Sequence, residues 1–196
     1  MSLLTFAKLA WTLGVVAWFV IRLPFQFKAR RTGVADARRR NLREKILLSI
    51  STCGLGVVPA LYVVTGFPAT LSYALSPLQV TAGVLVFLFA LWLFWRTHSD
   101  LGRQWSVTLE LRESHQLITS GVYRHVRHPM YSAFFLWAIA QALLLPNLVG
   151  GFAGLVGFGT LYLFRVGEEE AMMREAFGAQ YDAYCARTKR VIPFLY

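Results

Sequence analysis

The stretch GVYRHVRHPMYS, residues 121–132, runs directly into AFFLWAIAQALLL, residues 133–145. The first stretch holds two arginines, two histidines and a proline, and the second holds no charge at all. Ionisable groups in hydrocarbon are costly, so residues 132 and 133 mark a boundary between water and membrane. Pro129 suits the first turn of a helix, where its missing N–H is no loss. The whole reads as the collar and entry of a membrane helix.

The composition supports that reading. Of 196 residues, 56 % are hydrophobic and only 15 % charged, against about 25 % charged in soluble domains. The charges fall in blocks, and five apolar runs lie between them: about 3–21, 46–65, 78–95, 130–145 and 150–166. The expected fold is an all-α integral membrane protein with five transmembrane helices. The first run resembles a signal peptide but lacks a small-residue cleavage site. IRLPFQFKARR follows it as a stop, so it reads as a retained span. Pro59 predicts a kink in the second run. A span needs ~20 residues, with ~17 as a lower limit, so the last two runs are at or just under it. PNLVGG, residues 146–151, permits a tight turn between them. They are expected to form a helical hairpin that stops short of the far surface. Gly150, Gly154 and Gly157 share one helical face, where small residues allow close packing. Their expected partner is the fourth run, with Ala133, Ala138, Ala140 and Ala142. Gln141 is expected to bond between helices.

Lys and Arg number nine in residues 22–45, five in 96–129, five from Arg165 onward and none in 66–77 or 146–150. Positive residues stay on the cytoplasmic side. The N-terminus is therefore expected outside, and the C-terminus and all polar chemistry in the cytoplasm. Lys8 alone opposes the pattern. The net charge of +10 is read as topology and headgroup contact, not as a nucleic-acid footprint. Cys53 and Cys185 form neither a disulfide framework nor a metal site. Met173, Phe177, Tyr181 and Tyr184 recur at helical spacing, predicting a helical tail from Arg165. Three polar groups converge on one surface: ESHQLITSG (113–121), GVYRHVRHPMY (121–131) and RVGEEE (165–170). Singly, each reads as an interfacial anchor or surface ion pair. Together, beside a tight hairpin, they form a candidate site. The oligomeric state is not legible.

SHQLITSGVYRHVRHPMY, then Arg165 and Glu169 ahead of FGAQYDAYCARTKRVIP, resembles the isoprenylcysteine carboxyl methyltransferase family. It is also similar to a wider superfamily that includes phospholipid N-methyltransferases and sterol reductases. The resemblance covers about residues 80–196. It implies S-adenosylmethionine as cofactor without a Rossmann fold; CGLGVV at 53–58 lies in a span and reads as packing. It implies a cytoplasmic cofactor pocket formed by the 96–129 connection and the helical tail, and lined by His115, Gln116, Leu117, Ile118, Tyr123, His128, Pro129, Met130 and Tyr131. Glu169 matches the carboxylate of that pocket, Arg165 matches the substrate-facing arginine, and these two are the implied catalytic residues. No metal is implied. The choice of Glu169 among three glutamates rests on the distance to Phe177–Gly178. Residues 1–196 then form a single membrane domain. Residues 1–77 supply two spans and a basic loop, and 78–196 a methyltransferase core. The implied partners are membrane lipids and a lipophilic or prenylated acceptor. Isoprenylcysteine-type carboxyl methylation comes first, and phospholipid amines and small thiols stay open. A sterol-type reductase generally has more spans. A transporter would place its polar groups near the bilayer midplane, where only Gln141 lies.

Overall fold

A bilayer offers no water to the backbone, so a spanning segment must close its hydrogen bonds internally. Each of the five apolar runs is accordingly helical in the computed structural model, which describes residues 1–30, 34–36, 42–101, 111–112 and 117–195. The first run is α1, Leu3–Arg30. A short strand β1, Val34–Asp36, follows it. The second run is α2, Leu42–Thr52, then a π turn, Cys53–Val57, then α3, Val58–Thr65. The third is α4, Pro77–Leu101. Strand β2, Leu111–Arg112, pairs antiparallel with β1 in an addition to the all-helical expectation. The fourth run is α5, Pro129–Leu144, and the fifth is α6, Leu148–Phe177, followed by α7, Ala179–Arg187.

Among the described residues, four helices are long and apolar enough to cross a membrane: Leu3–Phe27, Leu42–Thr65, Pro77–Leu101 and Leu148–Phe177. Their outer faces expose Leu13, Val20, Leu85, Leu88, Val156 and Leu163, as lipid-facing surfaces do. The chain is an integral membrane protein. The fourth run, expected at or just under span length, is the shorter apolar helix α5. α5 has 16 residues, about 24 Å at 1.5 Å per residue, which falls short of a ~30 Å hydrocarbon core. The helical tail expected from Arg165 is continuous with the fifth run in α6. α6 continues to Phe177 for 30 residues, because EEEAMMREA consists of good helix formers and the breaker comes only at Gly178, where φ is +50°.

Asn147 builds the hairpin turn. Its side chain accepts the N–H groups of Val149 and Gly150 at 3.0 and 2.9 Å, an N-cap of the kind worth about 1 kcal/mol. Its amide donates to Pro68 O and Ser72 Oγ, tying in the connection between α3 and α4. Lys8, the exception to the charge pattern, reaches the last turn of α3. Its Nζ donates to Val63 O at 3.0 Å and Tyr62 O at 3.3 Å. A lysine is well placed there, because helix C-termini leave carbonyls unbonded.

The glycine face of α6 packs differently from expectation. Its main partner is the second run, not α5. Gly150 lies against Tyr62, and Gly157 against Ile50 O and Gly54, while Gly154 meets both Leu55 and Gln141. The π turn explains the choice. The Val58 N–H goes to Cys53 O and Pro59 has no N–H, so Gly54 O lacks a helical donor. Gln141 Nε2 supplies one at 3.1 Å and also donates to Gly150 O at 2.9 Å. The expected kink at Pro59 is this π turn, and Gln141 does bond between helices.

A Cβ at Gly54 would stand 2.3 Å from Ala153 O, whereas one at Gly56 meets nothing within 4 Å. Gly54→Ala should therefore lower stability by about 1–3 kcal/mol through overpacking. Gly56→Ala should be neutral or raise it by about 0.5–1 kcal/mol. Thermal unfolding of both variants in detergent checks this, and equal midpoints would rule out the close crossing.

Candidate functional site

The collar is held in place by its neighbours on both sides. Its first turn, Gly121–Arg124, docks on the end of α4, where Asp100 Oδ2 accepts the Val122 N–H at 2.9 Å and Arg96 pairs with Asp100 at 3.0 Å. Gly121 has φ +60°, and a Cβ there would collide with the Asp100 carboxylate, so this position needs glycine. On the other side the C-terminal segment runs alongside residues 126–128. Arg127 N–H donates to Lys189 O at 2.7 Å and His128 N–H to Arg190 O at 2.9 Å. Ser132 Oγ donates to Val191 O at 2.6 Å. Tyr184 of α7 donates to Tyr123 O at 2.5 Å. Burial pushes the Tyr184 phenol up, so it remains a protonated donor at physiological pH.

Successive helical residues point about 100° apart, so Glu168, Glu169 and Glu170 face three directions. Glu168 is exposed and pairs with Arg43. Glu170 is only 1 % exposed. Its carboxylate accepts from Arg127 Nη2 at 2.9 Å, Arg190 Nη2 at 2.9 Å, Arg190 Nε at 3.1 Å and His128 Nε2 at 3.3 Å. Glu169 lies between these extremes at 30 % exposure. Its Oε2 accepts the Tyr131 hydroxyl at 2.6 Å, and its Oε1 is 3.9 Å from His128 Nδ1. A carboxylate oriented by one short bond and otherwise open retains capacity for a cationic ligand. One turn earlier, the mostly buried Arg165 lies 3.6 Å from Glu44 in the first turn of α2.

The expected residues sort as follows. His128, Tyr131 and Glu169 meet, and Tyr131 is braced by Tyr162 and Phe158. Tyr123 lies near enough that, after burial, the Glu169 charge is the next cause raising its phenol. Pro129 is buried at the start of α5. Met130 packs against Leu93 and Phe94 of α4. Leu117 and Ile118 are half-buried in an irregular segment. His115 and Gln116 lie outside the described residues, as do Arg31, Arg38, Arg39 and Arg40 of the basic loop. The sequence reading takes Arg127 as an interfacial anchor and does not single out Glu170, Arg190 or Glu44. A signal for Glu170 was available: Phe158, Tyr162 and Val166 form a buried stripe at intervals of four, and its next member is Glu170.

Residues 79–175 match the family described as Isoprenylcysteine carboxyl methyltransferase (ICMT) family. The matched stretch runs from the start of α4 into the last turns of α6. It is similar to Protein-S-isoprenylcysteine O-methyltransferase B of Arabidopsis thaliana, 33 % identical over 96 residues, 48 % of this chain and 49 % of the relative. It is also similar to the Protein-S-isoprenylcysteine O-methyltransferase of Homo sapiens, 34 % identical over 86 residues, 44 % of this chain and 30 % of the relative. The matched stretch is thus less than half the length of these relatives. The solved structure of the eukaryotic intramembrane Ras methyltransferase ICMT superposes with a TM-score of 0.53 at 24 % identity, covering 81 % of this chain and 55 % of that chain. At this identity the likeness is one of fold.

Removing one partner of a buried ion pair leaves the others uncompensated and costs about 3–5 kcal/mol, whereas an exposed pair is worth about 0–1 kcal/mol. Glu170→Gln should therefore lower the unfolding midpoint sharply, and Glu168→Gln should leave it nearly unchanged. Differential scanning fluorimetry of the two purified variants reads the contrast.

Proposed function

Taking the family match over residues 79–175 as the premise, we propose that the chain is an S-adenosylmethionine-dependent membrane methyltransferase. Its acceptor is a lipophilic acid of the isoprenylcysteine type, the class named in its relatives. The observation that carries this reading is the meeting of His128 and Tyr131, from the mouth of α5, with Glu169 of α6. Residues 1–77 form two spans and a basic loop, and 78–196 form the methyltransferase core. α5 counts as a fifth, short span closed by its hairpin with α6. The N-terminus lies outside, and the C-terminus and the site lie in the cytoplasm.

The cofactor supplies an activated methyl group on a sulfonium centre. Its ammonium group and positive sulfur suit a carboxylate, and its adenine suits aromatic and aliphatic walls. Glu169 would hold the positive part, oriented by the Tyr131 hydroxyl. His128, Pro129, Met130, Tyr123, Leu117 and Ile118, with His115 and Gln116, would complete the pocket. Methyl transfer to a carboxylate is an in-line displacement that requires no general base, so this chain's contribution is positioning. Arg165 would hold the acceptor's carboxylate through its planar fork of donors. The apolar tail would stay in the bilayer, where each buried CH₂ contributes about 0.8 kcal/mol.

Two expectations follow. Glu169→Ala should weaken S-adenosylhomocysteine binding by about ten- to a hundredfold, the effect of losing a charged hydrogen bond of about 1.5–3 kcal/mol. Arg165→Ala should preserve that binding and depress turnover by about a hundredfold, as for loss of a donor aimed at reacting charge. Calorimetry and radiolabelled methyl transfer separate the two, and equal loss of cofactor affinity in both variants would show the division of roles to be wrong. Specificity constants should rise with chain length along a series of thioether-linked cysteine acids compared at fixed concentration within the membrane. A preference for short, water-soluble thiols over every lipophilic acid would replace this acceptor class.

A further inference from the structure

The second run and α6 cross at glycine, and their side chains part on the outer side of that crossing. The parting leaves a groove of about 820 Å³, within the range of about 300–1,000 Å³ that ligand sites occupy. Its floor consists of small residues, Gly54, Ala153 and Gly157, and its walls include Ile46, Ile50 and Phe152. The wall residues are exposed, so the groove opens outward, as the lipid-facing surfaces of the other spans do. From Leu42 to Val58 it follows the second run for about 24 Å at 1.5 Å per residue. A hydrocarbon core of ~30 Å holds two lipid chains end to end, about 15 Å each, so the groove is long enough for one.

This groove is distinct from the candidate site. His128, Tyr131, Arg165 and Glu169 do not line it. On α6 it takes the face through Val149, Ala153 and Val156, whereas Tyr131 packs on Phe158 and Tyr162. Its charge lies at one end, where Lys45 lines it. The two residues before Lys45 engage α6: Arg43 pairs with Glu168, and Glu44 with Arg165. Lys45 is turned about 100° from Glu44 around α2; it is exposed and belongs to the groove. Ser49, one turn on, returns its hydroxyl to Lys45 O at 2.8 Å. The sequence just ahead of Leu42 adds Arg38, Arg39 and Arg40. A ligand complementary to these features has a hydrocarbon chain with an anion at one end. Lysines near a bilayer surface attract anionic headgroups. The acceptor fits less well, because the reading above sends its acid to Arg165, which lies on the Glu44 side of α2.

We propose that this groove binds one molecule of an anionic phospholipid, with an acyl chain between the second run and α6 and the phosphate at Lys45. The lipid is held unchanged, and no bond forms or breaks. Packed against both helices, its chain holds the second run to α6 along the glycine crossing.

Native mass spectrometry of the full-length protein, released from detergent micelles, tests this as dioleoyl phosphatidylglycerol or dioleoyl phosphatidylcholine is titrated in. Wild-type protein should bind the first phosphatidylglycerol about fivefold more tightly than the first phosphatidylcholine, equivalent to the ~1 kcal/mol that a lysine contributes at an anionic lipid surface. Lys45→Gln should abolish that preference, and Lys45→Arg should keep it. Ser49→Trp places a large ring in the groove and should weaken the first binding step of both lipids. Arg187→Gln removes an exposed positive charge from the end of α7 and should change neither lipid. A preference that is missing from the wild type, or that survives Lys45→Gln, overturns the inference. Its equal loss in Arg187→Gln does so too, by marking diffuse attraction to net charge. Undiminished binding of both lipids to Ser49→Trp overturns the groove as the seat of the chain. Should Ser49→Trp fail to fold, the two Lys45 variants and Arg187→Gln decide the matter.

Discussion

The Glu170 carboxylate is the fixed point of the C-terminal half of α6. Burying a carboxylate costs several kcal/mol unless cations and hydrogen bonds replace the lost water. Arg127, His128 and Arg190 provide that replacement, and they come from the mouth of α5 and from the C-terminal segment. Those two segments must therefore be in place before α6 can bury its glutamate. Once it is buried, the rotation of α6 is set. Glu169 then necessarily turns toward Tyr131, and Glu168 toward Arg43. Three neighbouring residues of the same type acquire three different environments from one constraint.

This arrangement also separates stability from chemistry within a short stretch. Glu170 accepts hydrogen bonds from three side chains and is suited to holding parts together. Glu169, one residue away, is oriented by a single short bond and stays partly open. The same functional group is thus a buried anchor at one position and a partly open carboxylate at the next. The number of its hydrogen bonds distinguishes the two.

Much of this was legible in the sequence. The hairpin followed from PNLVGG and from run lengths, and it correctly brought His128 near the acidic run without sequence adjacency. The family resemblance followed from the collar and the spacing of the tail. The partner of the glycine face was not legible, because a stripe of small residues signals close approach without saying to what. The answer lay in the second run, where Pro59 and a π turn free a carbonyl that Gln141 then fills. Glu170 was missed because charge drew attention to the run as a whole, while the buried stripe through Phe158, Tyr162 and Val166 was not carried one step further. Lys8 looked like noise in a topology count, but its role is local: it bonds carbonyls at the end of α3.

The unbroken length of α6 has a mechanical consequence. Its 30 residues make a rod of about 45 Å, longer than the hydrocarbon it crosses. One end carries the glycine crossing, and the other carries Arg165, Glu169 and Glu170. No hinge lies between them. Bilayer thickness is met by helix tilt, and tilting a rigid rod swings its far end. The lipid environment of the span and the spacing between the acidic residues and the α5 mouth are therefore coupled through a single lever, so bilayer thickness becomes a variable of the site itself.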